Sequence, residues 1–260
     1  MVDSPLHKAT SNLLIMALYF CLRSCEYLLT PQHEHKKTQT IALGGIRFFR
    51  QNSLLSFYDP ALHLADFVSV TLFDQKNGEK LDTVNVDRAH VTDTTLCCVR
   101  ALSTTVQRII SYDHSTPIFQ RKISMFRNAN GSFTDIASGL VVDLLRLGAT
   151  RMGPETLGFQ PTEIGTHSIR SGGAMAYYLL PELSDTAVMF FGRWKSLAFL
   201  KYIRTQVDRF HKGHSTKIAL QSHFFTVPSL DPAQIKTLTW GNDNKLVDGA
   251  SSFRDARLLK

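Results

Sequence analysis

Four short clusters in the sequence carry groups able to act on a phosphate ester. The first is Leu22-Arg23-Ser24-Cys25-Glu26-Tyr27-Leu28, where an arginine and a glutamate three residues apart share a helix face within an apolar run. The second is Gln75-Lys76-Asn77-Gly78-Glu79-Lys80. Its Asn-Gly step supplies the positive φ angles of a hairpin turn, and the compact ammonium of a turn lysine can reach into a groove and donate a proton. Lys76 is the favoured donor, with Lys80 across the same turn as its rival. The third is Gly165-Thr166-His167-Ser168-Ile169-Arg170-Ser171-Gly172-Gly173. His167 and Arg170 stand three apart at a helix start, where unpaired N–H groups favour an anion, and the glycine pair lets a neighbouring backbone come close. The fourth is the basic turn Gly192-Arg193-Trp194-Lys195-Ser196, leading into a helix on which Lys201 and Arg204 flank Tyr202.

Each cluster alone has an ordinary structural explanation: an internal ion pair, a solvated turn, a polar helix start, a half-buried tyrosine with a basic rim. In chain order they read Arg, Lys, His-x-x-Arg, Gly-Arg-Trp, Tyr. That series resembles the tyrosine recombinase (phage integrase-like) family from roughly Ser11 to Phe210, and its phrasing is similar to the recombinases of eukaryotic mobile elements. The resemblance implies that Arg23 and Arg170 clamp the non-bridging oxygens of the scissile phosphate. It implies that His167 bonds the same phosphate or assists proton transfer, and that Lys76 protonates the 5′-hydroxyl leaving group. Trp194 would fix the phosphate and pack the nucleophile helix, Glu26 would support the active-site arginine, and Tyr202 would attack to give a 3′-phosphotyrosine link. Where the family places His or Trp before the tyrosine, this chain has Arg193, with Trp194 one residue later. Either can fill that role. Lys195, Lys201 and Arg204 would lie along the DNA backbone.

The residue types suit that chemistry. A phosphodiester anion repels nucleophiles, so charge must be neutralised as the transition state forms. Arginine does this with a planar fork that donates two hydrogen bonds and stays charged. A free phenol, with a pKa of about 10, is a weak nucleophile at neutral pH, and neighbouring guanidinium groups favour its ionised form. A covalent intermediate keeps the bond energy for rejoining. The family implies no metal and no cofactor, double-stranded DNA as partner, and a homotetramer on DNA that is monomeric when free. A non-catalytic DNA-binding remnant of a mobile element, and a type IB topoisomerase-like relaxing enzyme, are the alternative functions.

Composition sets the frame around these residues. Hydrophobic residues at 43% and charged residues at 20% are ordinary globular values, which excludes disorder of the whole chain. A formal net charge of +7 favours a polyanionic partner. The four cysteines, Cys21, Cys25, Cys97 and Cys98, form no paired CxxC arrangement, so free thiols in a reducing compartment are expected. The apolar run Leu13 to Leu22 is far short of the about 20 residues that cross a bilayer, and Arg23 and Glu26 follow it without a cleavage site. The chain is therefore expected to be neither membrane-bound nor secreted, and to lie in the nucleus if eukaryotic, otherwise in the cytoplasm.

The elements that must position these residues follow from periodicity. Ser11 to Leu29 reads as one helix, ended by Thr30-Pro31. Thr40 to Phe49, Phe67 to Phe73 and Thr83 to Val86 read as strands of a three-stranded antiparallel sheet. Helices are expected over Thr95 to Ile110, from a cap at Thr134-Asp135 through Leu147, from Thr162-Glu163 to Leu180, from Ser184-Asp185 to Phe191, and over Leu197 to Phe210. The fold class is mainly α with a small antiparallel sheet (α+β), matching the family's catalytic domain. That domain would occupy residues 1–217, with a C-terminal extension over 218–260, and the family's N-terminal DNA-grip domain is expected to be absent. Phe48-Phe49 and Phe190-Phe191 are assigned to the core. His33 and His35 are assigned to a solvated loop, and His211 and His214 to phosphate contacts or surface.

Overall fold

The computed structural model describes residues 4–30, 38–74, 80–89, 95–180, 183–196 and 200. Lys76, Lys201, Tyr202, Arg204, the histidines at 33, 35, 211 and 214, and the boundary at 217 lie outside them. The chain divides into two units, residues 1–173 and 174–260.

The first unit opens with helix α1 (Pro5–Tyr19), started by Pro5 at its first position and by the Ser4 hydroxyl, which accepts the His7 N–H. Its apolar face, Leu13, Met16 and Ala17, is fully buried. The single helix expected from Ser11 to Leu29 is instead two: α1 ends at Tyr19, and a short α2 (Ser24–Tyr27) follows.

The sheet is four-stranded and antiparallel. β1 (Ile46–Arg50), β2 (Ser53–Leu54), β3 (Phe67–Asp74) and β4 (Lys80–Asp87) lie in the order β2-β1-β3-β4. Three strands were expected. The fourth, β2, is two residues long and exposed, too short to show a period, and is turned back from β1 by Gln51 and Asn52, both with positive φ. The expected first strand begins later than Thr40, because Leu43–Gly45 forms a 3-10 turn. The glycine there has a packing cause: a Cβ on Gly45 would stand 2.7 Å from the Thr71 carbonyl oxygen. Register places Ile46 opposite Val70, Phe48 opposite Val68, and then Val70 opposite Val84 and Val68 opposite Val86, so one face is a continuous buried surface. On the other face Phe49 stacks on Phe67 at 4.8 Å and Thr71 and Thr83 share a hydrogen bond of 3.0 Å. Register also pairs Asp74 with Lys80 at the facing ends of β3 and β4.

Helix α3 (Cys98–Ile110) packs against α1. Its C-terminal end is closed by Arg121, a buried guanidinium that donates to the carbonyls of Ile109, Tyr112, His114 and Thr116. A second hairpin follows, β5 (Met125–Arg127) and β6 (Phe133–Asp135). The helix cap expected at Thr134-Asp135 is therefore not formed. Asp135 is held in the strand by Ser124 and Lys122, and helix α4 starts only at Ser138 and runs to Met152. A one-turn helix α5 (Pro154–Leu157) and a 3-10 turn (Pro161–Glu163) lead to α6 (His167–Tyr178). The helix expected to follow Thr162-Glu163 directly starts only at His167, after Ile164–Thr166. Arg146 of α4 takes the carbonyls of Thr162 and Ile164 at 3.1 Å each, acceptors that a helix running on would have used itself.

In the second unit, α7 (Asp185–Gly192) starts as expected, with the Ser184 hydroxyl accepting the Ala187 N–H. Val188 is its buried centre, packed by Met175, Tyr178, Leu183 and Trp194. Phe191 stacks on Tyr177 at 4.7 Å, but Phe190, assigned to the core, is 66% exposed, because it lies on the opposite side of a helix only two turns long. No helix among the described residues is long and apolar enough to cross a membrane.

A thiol cluster sits where α3 begins. Burial pushes the Cys98 thiol well above its ordinary 9.0, with Cys97 and the Asp87 carboxylate adding to the effect. Burial also raises Tyr19, again helped by Cys98, Cys97 and Asp87. The native state then keeps a proton that the unfolded chain releases, so this contribution to stability is complete below pH 9.0 and is lost as pH rises beyond it. Urea midpoints should fall above about pH 9, by no more than about 1.4 kcal/mol per pH unit for each such group. Cys98→Ala should flatten that alkaline limb, and an unchanged slope would assign the loss elsewhere.

Candidate functional site

Arg23 owes its place to the way α1 ends. The Cys21 N–H donates to the Leu18 carbonyl at 3.3 Å and the Leu22 N–H to the Ala17 carbonyl at 2.9 Å, while Cys21 takes a left-handed φ of 46°. This pair of bonds closes a helix C-terminus in the manner usually built on glycine. Phe20, Cys21 and Leu22 are all buried, so their apolar burial holds the turn although no glycine relieves it.

The chain leaves this turn extended at Arg23, which precedes α2. The buried Glu26 carboxylate folds back over it. One oxygen accepts the Arg23 backbone N–H at 2.7 Å, and the other accepts guanidinium Nη1 at 3.0 Å. The Arg23–Glu26 pair therefore spans a helix start rather than lying along one helix face. Glu26 fixes the root and the head of Arg23 together, and Arg23 keeps 17% side-chain exposure. The Ile41 N–H donates to the Glu26 carbonyl, stitching this loop to the chain entering the sheet.

Arg170 reaches the same loop from the distant helix α6. Its Nη1 donates to the Cys21 carbonyl across 149 positions of sequence, and the side chain is only 2% exposed. The left-handed turn frees that carbonyl from the α1 ladder, and Arg170 takes it up. Gly173, one turn further along α6, explains how close the helix can come: a Cβ there would overlap the Leu18 carbonyl oxygen and stand 3.0 Å from Cys21 Sγ. The close approach expected of the glycine pair is thus made by Gly173, with Leu18 Cδ1 at 3.7 Å from a Cβ on Gly172. His167 is the first residue of α6, on the exposed side one turn before Arg170. Its turn is set by the Gly165 N–H, which donates to the Ser168 hydroxyl at 3.1 Å.

Two neighbours complete the electrostatics. Burial raises the Cys25 thiol, the Glu26 carboxylate raises it further, and Arg23 partly offsets both. Burial and then Glu26 raise the Tyr27 phenol, whose hydroxyl is buried without a hydrogen-bond partner. Tyr27 is thus held protonated and away from solvent, which disqualifies it as a nucleophile.

In the second unit, Arg193 and Trp194 have structural positions of their own. Arg193 closes α7 with a left-handed φ of 55° and is 4% exposed. The Trp194 N–H donates to the Met189 carbonyl at 2.9 Å, and its indole lies so tightly over Gly192 that a Cβ there would overlap the ring. Of these two, Arg193 is the more buried and Trp194 the one keeping partial exposure. Lys195 is exposed.

Of the residues singled out in the sequence, Arg23, Glu26 and Arg170 meet around one turn, and His167 shares a helix with Arg170. Arg193, Trp194 and Lys195 belong to the second unit, and Lys76, Lys201, Tyr202 and Arg204 fall outside the described residues. No residue pattern marks the Cys21 carbonyl as the meeting point, since a non-glycine residue in the left-handed region has no composition cue. No three of His, Cys, Asp and Glu are grouped to hold a metal among the described residues. No protein-family model, curated protein or solved structure matches the chain.

Proposed function

We propose that the chain cleaves and rejoins DNA strands by transesterification, as in site-specific recombination or integration, with Tyr202 as nucleophile. The observation that carries this reading is the meeting of Arg170 with the loop of Arg23: Arg170 binds the Cys21 carbonyl, two residues before an arginine that Glu26 holds at both ends. Two guanidinium groups fixed near one turn are what a scissile phosphate requires. His167, exposed at the start of α6, adds a donor on the helix that bears Arg170.

In this scheme the phenol oxygen of Tyr202 attacks phosphorus, and the bond to the 5′ oxygen breaks. That oxygen takes a proton, from Lys76 or Lys80, and leaves as a hydroxyl. A 5′-hydroxyl then reverses the step on the 3′-phosphotyrosine, releasing the phenol. Arg193 or Trp194 supports the phosphate, and Lys195, Lys201 and Arg204 follow the DNA backbone. The test is a duplex nicked close to the scissile phosphate, so that the short leaving strand diffuses away and the covalent complex is trapped. The full chain should give a denaturant-resistant DNA adduct that Tyr202→Phe abolishes. Salt-sensitive binding with no adduct, or an adduct that survives Tyr202→Phe, would overturn the proposal.

One observation favours a second reading, a DNA-binding protein that leaves the strands intact. Arg170 is nearly inaccessible and spends a donor on its own backbone. On that reading Tyr202→Phe leaves DNA affinity unchanged and no adduct forms with either protein. Relaxation of a plasmid without sequence preference would instead point to a topoisomerase-like activity.

A further inference from the structure

The two edges of the four-stranded sheet are finished differently. One edge is β2, two residues long and reached through the positive-φ turn at Gln51 and Asn52. So short a strand offers few backbone groups to another chain. The other edge is β4, eight residues long and without proline, paired to β3 with no bulge from Phe67 and Asp87 to Leu72 and Asp82. Shortness, proline and bulges commonly guard an edge strand, and β4 uses none of them.

The backbone of this strand can be followed group by group. The Arg88 N–H donates to the Asp66 carbonyl, one step beyond the Phe67–Asp87 pair. Bonded pairs alternate along an antiparallel ladder, so Val86 and Val84 also bond β3. Thr83, Asn85 and Asp87 then turn their N–H and C=O groups to the open side. The 3.0 Å bond between the Thr71 and Thr83 hydroxyls fits this phase, because side chains stand closer at the non-bonded pairs. Among the described residues nothing takes the backbone groups of Thr83, Asn85 and Asp87, and all three residues are exposed. Val84 and Val86 are buried on the other face.

We propose that β4 pairs antiparallel with β4 of a second copy of this chain, about a two-fold axis through Asn85. An axis perpendicular to the sheet and centred on a residue keeps the buried faces of both copies on one side. Centred on Asn85, the open groups match: Asn85 bonds Asn85 of the other copy, and Thr83 bonds Asp87. Side chains match as well, with Val84 beside Val86 and Asp82 beside Arg88 of the other copy. Centred one residue earlier, Asp82 would face Val86. Centred one residue later, Arg88 would face Val84. Either shift sets a charge against a valine, so the strand selects both its partner and its register. The inference goes beyond strand cleavage and does not depend on it, since no residue from Asp82 to Arg88 belongs to that scheme.

Sedimentation velocity of the full chain without DNA tests the pairing. It should show a reversible monomer–dimer equilibrium with a Kd of about 1–100 μM. Asn85→Pro should weaken that equilibrium at least about tenfold with unchanged circular dichroism, because the N–H it removes points away from β3. Single cysteines read the register independently, and decide the matter if Asn85→Pro fails to fold. Cα atoms of a bonded antiparallel pair stand about 5.5 Å apart, within reach of a disulfide. Under mild oxidant Asn85→Cys should form a covalent dimer. Thr83→Cys, which faces Asp87, should cross-link no more than the parent chain. A chain that stays monomeric up to about 1 mM, a dimer unmoved by a folded Asn85→Pro protein, or Asn85→Cys cross-linking no better than Thr83→Cys would each overturn the proposal.

Discussion

Glu26→Ala should destabilise the protein by about 3 kcal/mol or more and, on the mechanism proposed above, remove strand cleavage as well. The carboxylate is fully buried, and it accepts the Arg23 backbone N–H at 2.7 Å and its guanidinium at 3.0 Å. Removing one member of a buried ion pair typically costs about 3–5 kcal/mol, because the remaining groups lose their partner without regaining water. Arg23 is partly exposed and can recover some hydration, which favours the lower end of that range. Glu26→Gln makes the informative contrast. The amide oxygen can still accept the Arg23 N–H, so the loop start survives, but an amide NH₂ then faces a guanidinium. Stability should fall less than in Glu26→Ala, while the rate of adduct formation on a nicked duplex should fall by a similar factor in both. Overall DNA affinity should hold or rise, since each variant removes a negative charge from a basic protein. Urea midpoints, adduct rates and salt-dependent binding separate these effects. A Glu26→Ala protein as stable as the parent would show that the carboxylate does not hold Arg23 in solution.

The sequence exposed the parts of this site more readily than their arrangement. Period-two alternation was enough to find β3 and β4, because their buried valines sit on one face and register pairs them directly. Ser184 was legible as the start of α7 because its hydroxyl makes the cap bond that such residues make. The break between α1 and α2 was not. Phe20, Cys21 and Leu22 continue the apolar run without a glycine or proline, and the left-handed turn at Cys21 is set by burial from all sides, which a local pattern does not contain. The β5–β6 hairpin was missed for a different reason. Its strands are three residues long, too short to show a period, and only Asn130-Gly131 marked the turn. The helix start at His167 was misplaced because Arg146, remote in sequence, holds the carbonyls of Thr162 and Ile164.

Gly173 and Gly172 are adjacent and look equivalent in the sequence, yet alanine should act on them in opposite directions. Both lie inside α6, where Gly→Ala alone stabilises by about 0.5–1 kcal/mol through the lower entropy of the unfolded chain. At Gly172 a Cβ would meet only Leu18 Cδ1, at 3.7 Å, an ordinary contact that lets the propensity gain appear as a higher melting temperature. At Gly173 the same atom would overlap the Leu18 carbonyl oxygen and press on Cys21 Sγ at 3.0 Å. Neither obstacle is a flexible chain end. Leu18 and Cys21 belong to the hydrogen-bonded turn that closes α1, so α6 must move away instead. Forced overpacking of this kind costs about 1–3 kcal/mol and occasionally more, which outweighs the propensity gain. On the proposed mechanism the displacement also acts on chemistry, because Arg170 precedes Gly173 by one turn and its bond to the Cys21 carbonyl is what joins it to the loop of Arg23. Gly173→Ala should therefore lower the urea midpoint and abolish covalent adduct formation, whereas Gly172→Ala should keep or raise the first and leave the second intact. Equal stability of the two variants would mean that α6 and α1 are not packed this closely, and the meeting of Arg170 with Arg23's loop would lose its structural basis.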